Sequence, residues 1–267
     1  GPCRADAKKT NSVCGKDVHL IVAGNAVRRM AAGLSAHGAH AREVFIMLKQ
    51  VGLGNVPVPI KGGAKAIVVG KLLGIKTRGK SVKEVCVEIA DKFIDDLQRA
   101  EPQKHDTLLA LAPYERTKKW EELNIIPISA YHECFESNNI TSHGTDSDFD
   151  SHMEAFLRTA LVYAWSTVIS TSIATDILYG IPKRAKVEMN LGAIRKDKCI
   201  NVALNGHSPL VAFAVSDLVK TDRIKEKVKA VGAEEIMLYG MCCTGGEFAQ
   251  RDINVPMVAM ASSCELA

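Results

Sequence analysis

The chain has 267 residues, which is enough for one large domain or two modest ones with a real hydrophobic core. Hydrophobic residues make up 47% of it and charged residues 24%, which is the balance of a soluble globular protein. The net charge is only +4, and the Lys and Arg residues form no blocks interleaved with aromatic residues, so nucleic acid is not an expected partner.

Helical patterns dominate the first two thirds of the chain. Ser81 followed by Glu84 forms a capping box, and Pro113 suits the first position of a helix. The stretch before residue 24 is a cysteine-bearing leader, residues 101–113 are a linker or short helix, and residues 137–150 are a polar loop. Helices are predicted over residues 24–50, 64–74, 81–99, 113–123 and 151–178.

The most apolar stretch is Phe156–Leu178, which is long enough to suggest a membrane span. It contains Arg158 and Asp176 together with seven Ser and Thr residues, a composition that predicts a buried core helix and no membrane span. The helix is expected to start at a cap on Asp150 or Ser151.

After about residue 185 the pattern changes to short apolar runs separated by helical segments. Strands are predicted at residues 199–204, 235–240 and 255–260, and helices at 208–230, with a break near Thr221, and at 244–251. Strands that alternate with helices favour parallel βαβ units. The predicted fold is a helical domain, residues 1–185, followed by the first part of a Rossmann-like parallel-sheet domain, residues 186–267.

Two motifs each follow a predicted strand and open a predicted helix: Gly206-His207-Ser208-Pro209 and Gly240-Met241-Cys242-Cys243. If the strands are parallel neighbours, His207 and a thiol of the cysteine pair emerge at one edge of the sheet, where open parallel sheets bind ligands. Imidazole and thiolate are typical ligands of a transition metal or an iron–sulfur cluster. The alternative is a simple helix cap at the first motif and a packed turn at the second.

Eight cysteines without a recognisable signal peptide predict a cytoplasmic protein with reduced thiols. Cys3 and Cys14 suit two of the four thiolates of a cubane cluster, and the alternative is two free thiols on a frayed terminus. His37 and His40 share one face of a helix, beside small residues that allow another element to approach closely. They suit a proton relay, and the alternative is a pair of solvated or capped histidines.

Taken together and in their order along the chain, these motifs resemble those of the catalytic subunit of the anaerobic nickel–iron carbon monoxide dehydrogenases. The likeness runs nearly end to end, and its last two motifs are specific. The matching pieces are Gly1-Pro2-Cys3-Arg4, Val13-Cys14-Gly15, Ala36-His37-Gly38-Ala39-His40, Leu157-Arg158-Thr159-Ala160, Asp176-Ile177-Leu178-Tyr179-Gly180, Asn190-Leu191-Gly192, Asn205-Gly206-His207-Ser208-Pro209 and Gly240-Met241-Cys242-Cys243-Thr244-Gly245.

The resemblance implies a Ni–Fe–S active-site cluster that oxidises CO with water to CO2, two protons and two electrons. It implies that His207 and Cys243 ligate an iron of this cluster and that Cys242 lies nearby without being a resting ligand. His37 would be the acid/base above the site, and His40 would continue the proton path.

The resemblance also implies an electron relay. Cys3 and Cys14 would be two of the four ligands of a 4Fe–4S cluster. The implied architecture is that shared by the hybrid-cluster proteins and the CO dehydrogenases. The implied partners are a ferredoxin-like electron acceptor, a second copy of the chain in a homodimer, and an acetyl-CoA synthase subunit.

The chain departs from the family pattern at both ends. In the family, two more relay-cluster cysteines lie just upstream of the Gly-Pro-Cys motif, and the remaining active-site cysteines come later than this sequence extends. We therefore expect an internal segment with incomplete ligand sets that is inactive alone. The alternatives are a hybrid-cluster protein related to hydroxylamine reductase, and a truncated, non-catalytic paralogue that acts as a binding partner.

Overall fold

The computed structural model describes residues 5, 8–100, 105–181, 194, 197–205, 209–241 and 257–259. The chain divides into two units, Gly1–Leu178 and Tyr179–Ala267. The boundary predicted between residues 185 and 186 lies outside the described residues, and it stays a prediction.

The first unit is helical. Its described elements are α1 (Val18–Gly52), α2 (Gly63–Leu72), α3 (Val82–Gln98), α4 (Asp106–Leu111), α5 (Tyr114–Glu122), α6 (Ala130–Ile140), α7 (Phe149–Val162), a π-helix (Tyr163–Ile169) and α8 (Ser170–Tyr179), whose last residue belongs to the second unit.

Helix α1 is the centre of this unit. It packs against α3, α6, α7 and the π-helix along a stripe of buried residues at heptad spacing: Leu20, Val27, Leu34, Ala41 and Leu48. The carboxylate of Asp17 caps its start by accepting a hydrogen bond from the amide of Leu20 at 2.8 Å. The helix therefore begins at Val18 and not at residue 24, because its cap lies inside the stretch predicted as a leader.

The capping box predicted at the start of α3 is confirmed. The amide of Ser81 donates to the carboxylate of Glu84 at 2.7 Å, and the amide of Glu84 donates to the hydroxyl of Ser81 at 3.3 Å. This fixes the direction in which α3 enters the core, where the ring of Phe93 lies 4.9 Å from that of Phe45 on α1.

The polar loop predicted for residues 137–150 is partly wrong, because α6 continues to Ile140. The hydroxyl groups of Ser137 and Thr159 are hydrogen bonded at 3.0 Å between α6 and α7, and both residues are buried. Ile140 lies in an apolar cluster with side chains of α1 and α7. Tertiary packing therefore overrides the low helix propensity of this polar sequence.

Two predicted helix starts are displaced. The cap of α7 is Asp148, whose carboxylate accepts hydrogen bonds from the amides of Asp150 and Ser151, the two residues predicted as caps. Pro113 is likewise the residue before α5, which begins at Tyr114. Several Asp and Ser residues lie within one turn of the start of α7, so propensity alone does not choose its cap. At α5, Pro113 takes the cap position without a side-chain hydrogen bond.

Helices α7 and α8 and the π-helix between them form one continuous rod, Phe149–Tyr179. By length and composition this rod could cross a membrane. This is weak evidence for a membrane span, because the buried core helices of soluble proteins can have the same length and composition. Half of its most apolar window is buried within the protein, and its first part packs against α1 and α6. These contacts support the predicted core helix, which ends just before Gly180, a residue with φ of 93°.

The second unit is a parallel sheet with helices. Its described elements are β1 (Cys199–Asn205), α9 (Pro209–Leu218), α10 (Asp222–Ala230), β2 (Glu235–Met241) and β3 (Met257–Ala259), in the sheet order β1-β2-β3. Ala212 of α9 and Leu238 of β2 centre its apolar core. The break predicted near Thr221 is confirmed, since this residue precedes α10. The helix predicted at residues 244–251 lies outside the described residues.

Candidate functional site

The parallel pairing predicted for the first two strands is confirmed. Strand β1 pairs with β2 in register from Cys199 opposite Glu235 to Asn205 opposite Met241. The two strands thus end side by side, at their carboxyl ends. His207 and Cys243 each follow two residues along the sequence from these paired ends. His207, Cys242 and Cys243 themselves lie outside the described residues.

Cys14 lies in a tight loop before α1. The loop is closed by a hydrogen bond from the amide of Ser12 to the carbonyl of Lys16 at 2.8 Å, and Gly15 turns it with φ of 87°. The hydroxyl of Ser12 lies 3.1 Å from the sulfur of Cys14. That hydroxyl, followed by the backbone amide of Lys16, lowers the pKa of the Cys14 thiol by stabilising the thiolate.

A thiolate on a solvent-reachable loop is the form of cysteine that binds a metal. Cys14 therefore fits the predicted role of a cluster ligand in its chemistry. Its predicted companion, Cys3, lies outside the described residues. Among the side chains that the structure describes, no three or more His, Cys, Asp or Glu residues converge closely enough to hold a metal ion.

A small cleft of about 90 Å³ borders Cys14 and runs along the first turns of α1. Two cationic side chains line it. The ammonium of Lys16 donates to the carbonyl of Ile140 at 3.3 Å, and the guanidinium of Arg28 donates to the hydroxyl of Thr141 at 3.0 Å. Fixed positive charge beside Cys14 favours an anionic group such as a thiolate-bound cluster.

His37 and His40 lie farther along α1, one turn apart and both half-buried. The ring of His37 lies edge-to-face against that of Tyr163, the first residue of the π-helix, with centroids 5.1 Å apart. The close approach predicted from small neighbours is confirmed, because Gly33 faces Tyr163 and Gly38 faces Thr167. These contacts place another element against the histidine face of α1.

Cys14 and His37 belong to different places in the first unit. His37 lies nineteen residues beyond Val18 on one helix, which corresponds to roughly 28 Å at ~1.5 Å per residue. The structure therefore does not bring the cysteine loop and the histidine pair together. This separation matches two predicted roles that need no contact, a relay ligand and an acid/base.

Ser166, His105 and Asp96 form a buried Ser–His–Asp line of contacts at the π-helix, which no sequence motif indicated. His105 is fully buried; its Nε2 contacts the hydroxyl of Ser166, and its Nδ1 lies 3.3 Å from a carboxylate oxygen of Asp96. The amide of Leu108 also points at Nδ1, at 3.1 Å. Burial lowers the pKa of His105, so the ring is neutral and Nδ1 accepts from Leu108.

This line is structural and not a nucleophilic triad. With Nδ1 as an acceptor, the proton of the ring is on Nε2 and is donated to Ser166, which is the reverse of what activates a serine. Asp96 instead accepts from the guanidinium of Arg99 at 2.8 Å and from the amide of Thr107 at 2.7 Å.

The π-helix itself was also missed. The available signal was the clustering of Ser and Thr in an apolar helix, because such hydroxyls bond to backbone carbonyls of the preceding turn and distort it. The hydroxyl of Ser170 does so with the carbonyl of Trp165 at 2.7 Å, and that of Thr167 does so with Tyr163.

Comparison with known proteins places these features in a family. The model of the Prismane/CO dehydrogenase family matches residues 1–267, the whole sequence given. The chain belongs to the Prismane/CO dehydrogenase family. It is 32% identical to carbon monoxide dehydrogenase 1 of Carboxydothermus hydrogenoformans, covering 100% of this chain and 42% of that protein.

Two further matches agree. The chain is 31% identical to the carbon monoxide dehydrogenase/acetyl-CoA synthase subunit beta of Moorella thermoacetica, covering 100% of this chain and 40% of that protein. It superposes on a crystal structure of nickel-free carbon monoxide dehydrogenase from Thermococcus sp. AM4 with a TM-score of 0.88 and 32% identity, over 96% of this chain and 41% of that one. The helical unit and parallel sheet thus have the predicted hybrid-cluster/CO dehydrogenase architecture. The chain spans about two fifths of the length of these relatives.

Proposed function

We propose that the native protein containing this chain is an anaerobic nickel–iron carbon monoxide dehydrogenase, which converts CO and water to CO2, two electrons and two protons. The observation that carries the proposal is the pairing of Asn205 with Met241 at the carboxyl ends of two parallel strands. The sequence continues from these ends directly into the histidine motif and the cysteine motif, at the edge where parallel sheets bind ligands.

His207 and Cys243 are the proposed iron ligands at this edge, with Cys242 beside them. Cys3 and Cys14 are the proposed ligands of a 4Fe–4S relay cluster, and the lowered pKa of Cys14 supports its share of that role. The bound clusters would supply the redox chemistry of CO oxidation and carry away its electrons.

His37 and His40 are the proposed proton carriers. In this role, His37 takes up a proton at a ring nitrogen and His40 passes it on along α1, since the two residues are one turn apart. Imidazole suits this task because its ordinary pKa lies near neutral pH.

The cellular setting is also a proposal. We place the protein in the cytoplasm as a homodimer that transfers electrons to a ferredoxin-like acceptor. An acetyl-CoA synthase subunit is a further proposed partner, supported by the name of the Moorella relative. Since the chain spans only about two fifths of its relatives, we expect the segment alone to assemble no complete cluster and to be inactive.

The test is anaerobic reconstitution of the native protein with iron, sulfide and nickel, followed by an assay for CO-dependent viologen reduction. We expect activity in the native protein, and in a Cys134→Ala control that removes a half-buried thiol outside the proposed ligand set. Cys243→Ala should abolish activity while the relay cluster keeps its iron–sulfur spectrum. Hydroxylamine reduction without nickel would favour the hybrid-cluster alternative. A protein that binds no iron would favour the non-catalytic alternative.

A further inference from the structure

The contact between α1 and the π-helix centres on one ring pair. The rings of His37 and Tyr163 are 5.1 Å apart at an interplanar angle of 79°. Two small residues of α1, Gly33 and Gly38, face the π-helix at this contact. A Cβ atom on Gly33 would lie 3.9 Å from the Tyr163 ring, and one on Gly38 would lie 3.8 Å from Thr167. Both distances are ordinary van der Waals contacts, so a methyl group would fit at either position, whereas a longer side chain on Gly33 would meet the ring of Tyr163.

The π-helix determines which side chain faces His37. Its wider turn is marked by a hydrogen bond from the amide of Ser170 to the carbonyl five residues earlier, that of Trp165. A wider turn shifts the side chains that follow it relative to those of α7. Three residues of the turn contact three separate elements: Tyr163 contacts α1, Trp165 contacts α5, and Ser166 contacts His105, the cap of α4.

Two of these contacts anchor the turn. The buried, neutral ring of His105 donates from Nε2 to the hydroxyl of Ser166, and His105 is itself held as the cap of α4 by the amide of Leu108. On the other side, the rings of Trp165 and Trp120 lie edge-to-face with centroids 6.0 Å apart. Both anchors lie outside α1, so contacts other than the one with His37 also hold Tyr163 in position.

We propose that Tyr163 is a positioning residue for His37: its ring, presented by the anchored π-turn, holds the imidazole in one orientation on α1 for proton transfer. The proposal rests on the acid/base role proposed for His37. An aromatic pair of this geometry favours the paired rotamer by about two- to tenfold. The loss of the ring should therefore lower the ratio of correctly oriented to misoriented imidazole by a similar factor, and the correctly oriented fraction by no more than that factor.

The experiment compares three variants of the native protein. Tyr163→Leu removes the ring, Tyr163→Phe keeps it, and Phe135→Leu is the control that removes an exposed ring from α6. Each metal-free protein is treated with diethyl pyrocarbonate at about pH 8, where an ordinary imidazole is neutral. Mass spectrometry follows the modification rate of His37 against that of the exposed His143. Each reconstituted protein is also assayed for kcat and for KM toward CO.

We expect Tyr163→Leu to raise the modification rate of His37 and to lower kcat, each by up to about tenfold, with KM for CO unchanged. Tyr163→Phe should restore both quantities, and Phe135→Leu should leave both near the native values. The proposal is overturned if Tyr163→Leu changes neither quantity, if Tyr163→Phe behaves like Tyr163→Leu, or if Phe135→Leu has an equal effect. A native protein without CO oxidation refutes the proposed function instead, and the modification rates then decide whether Tyr163 orients His37.

Discussion

Gly62 lies where α2 begins against the end of α8, and replacing it with alanine should destabilise the first unit. The amide of Gly62 donates to the carbonyl of Ile177 at 2.9 Å, and the amide of Lys61 donates to that of Leu178 at 3.2 Å. A Cβ atom on Gly62 would lie 2.2 Å from the carbonyl oxygen of Asp176 and 2.8 Å from the Cα of Ile177. Both are backbone atoms, so no side-chain rotation relieves the clash.

The expected cost follows from these contacts. The methyl group must push the start of α2 away from the end of α8. Inserting an extra group into a packed site costs about 1–3 kcal/mol, and the two hydrogen bonds that are weakened are worth about 1 kcal/mol each. Gly62 has φ of −97° and ψ of 36°, so its backbone does not require the left-handed conformation that favours glycine. We therefore expect Gly62→Ala to lower the free energy of unfolding by about 2–4 kcal/mol, measured by urea denaturation followed by circular dichroism.

Two control variants separate the clash from other effects. Gly24→Ala on α1 places its Cβ 3.7 Å from the nearest atom, a carbon of His152, so it should be neutral or stabilising by up to about 1 kcal/mol. Gly62→Ser supplies a good helix cap but has the same Cβ atom, so it should be as harmful as Gly62→Ala. The reasoning would be refuted if the free energy of unfolding of Gly62→Ala were within about 0.5 kcal/mol of the native value. It would also be refuted if Gly62→Ser had the full stability of the native protein.

Three further predictions concern buried and exposed titratable groups. Ser166→Ala removes the acceptor of the buried Nε2–H of His105 and should cost about 1–3 kcal/mol in urea denaturation. Burial holds the pKa of His105 below its ordinary 6.5, so the unfolded chain binds the proton first and stability is lost as the pH falls below about 6.5. His105→Asn should therefore flatten the dependence of the free energy of unfolding on pH between about pH 5 and 7. In the metal-free native protein, iodoacetamide should label Cys14 well before Cys86, whose pKa burial raises to about 11, as read by peptide mass spectrometry.

Each of these predictions has a contrary outcome. Ser172→Ala changes an exposed serine of α8 whose hydroxyl donates to the carbonyl of Val168 and contacts no histidine, so a loss equal to that of Ser166→Ala would show that His105 needs no acceptor there. A pH slope that is unchanged in His105→Asn would assign the acid sensitivity to other groups. Labelling of Cys86 in the folded protein at the rate of Cys14 would contradict its burial in α3.

Local sequence determined the elements whose signals are short and self-contained. The capping box of Ser81 and Glu84 predicted the start of α3, and alternating apolar runs predicted the parallel pairing of β1 and β2. For the same reason, the two motifs after these strands are predicted to lie at one sheet edge, and this stays a prediction. Cys14, His37 and His40 were identified as candidates from residue type and spacing, and their roles stay proposals.

The tertiary structure decided those features for which the local sequence allows several alternatives. The extension of α6 to Ile140 depends on burial between α1 and α7, and the cap at Asp148 was one of several equally good choices. The π-helix and the contact of Tyr163 with His37 depend on anchors, His105 and Trp120, that are distant in sequence. A helix period and a cap need only a few neighbouring residues, whereas a turn that is less favourable than α-helix persists only where the surrounding packing stabilises it.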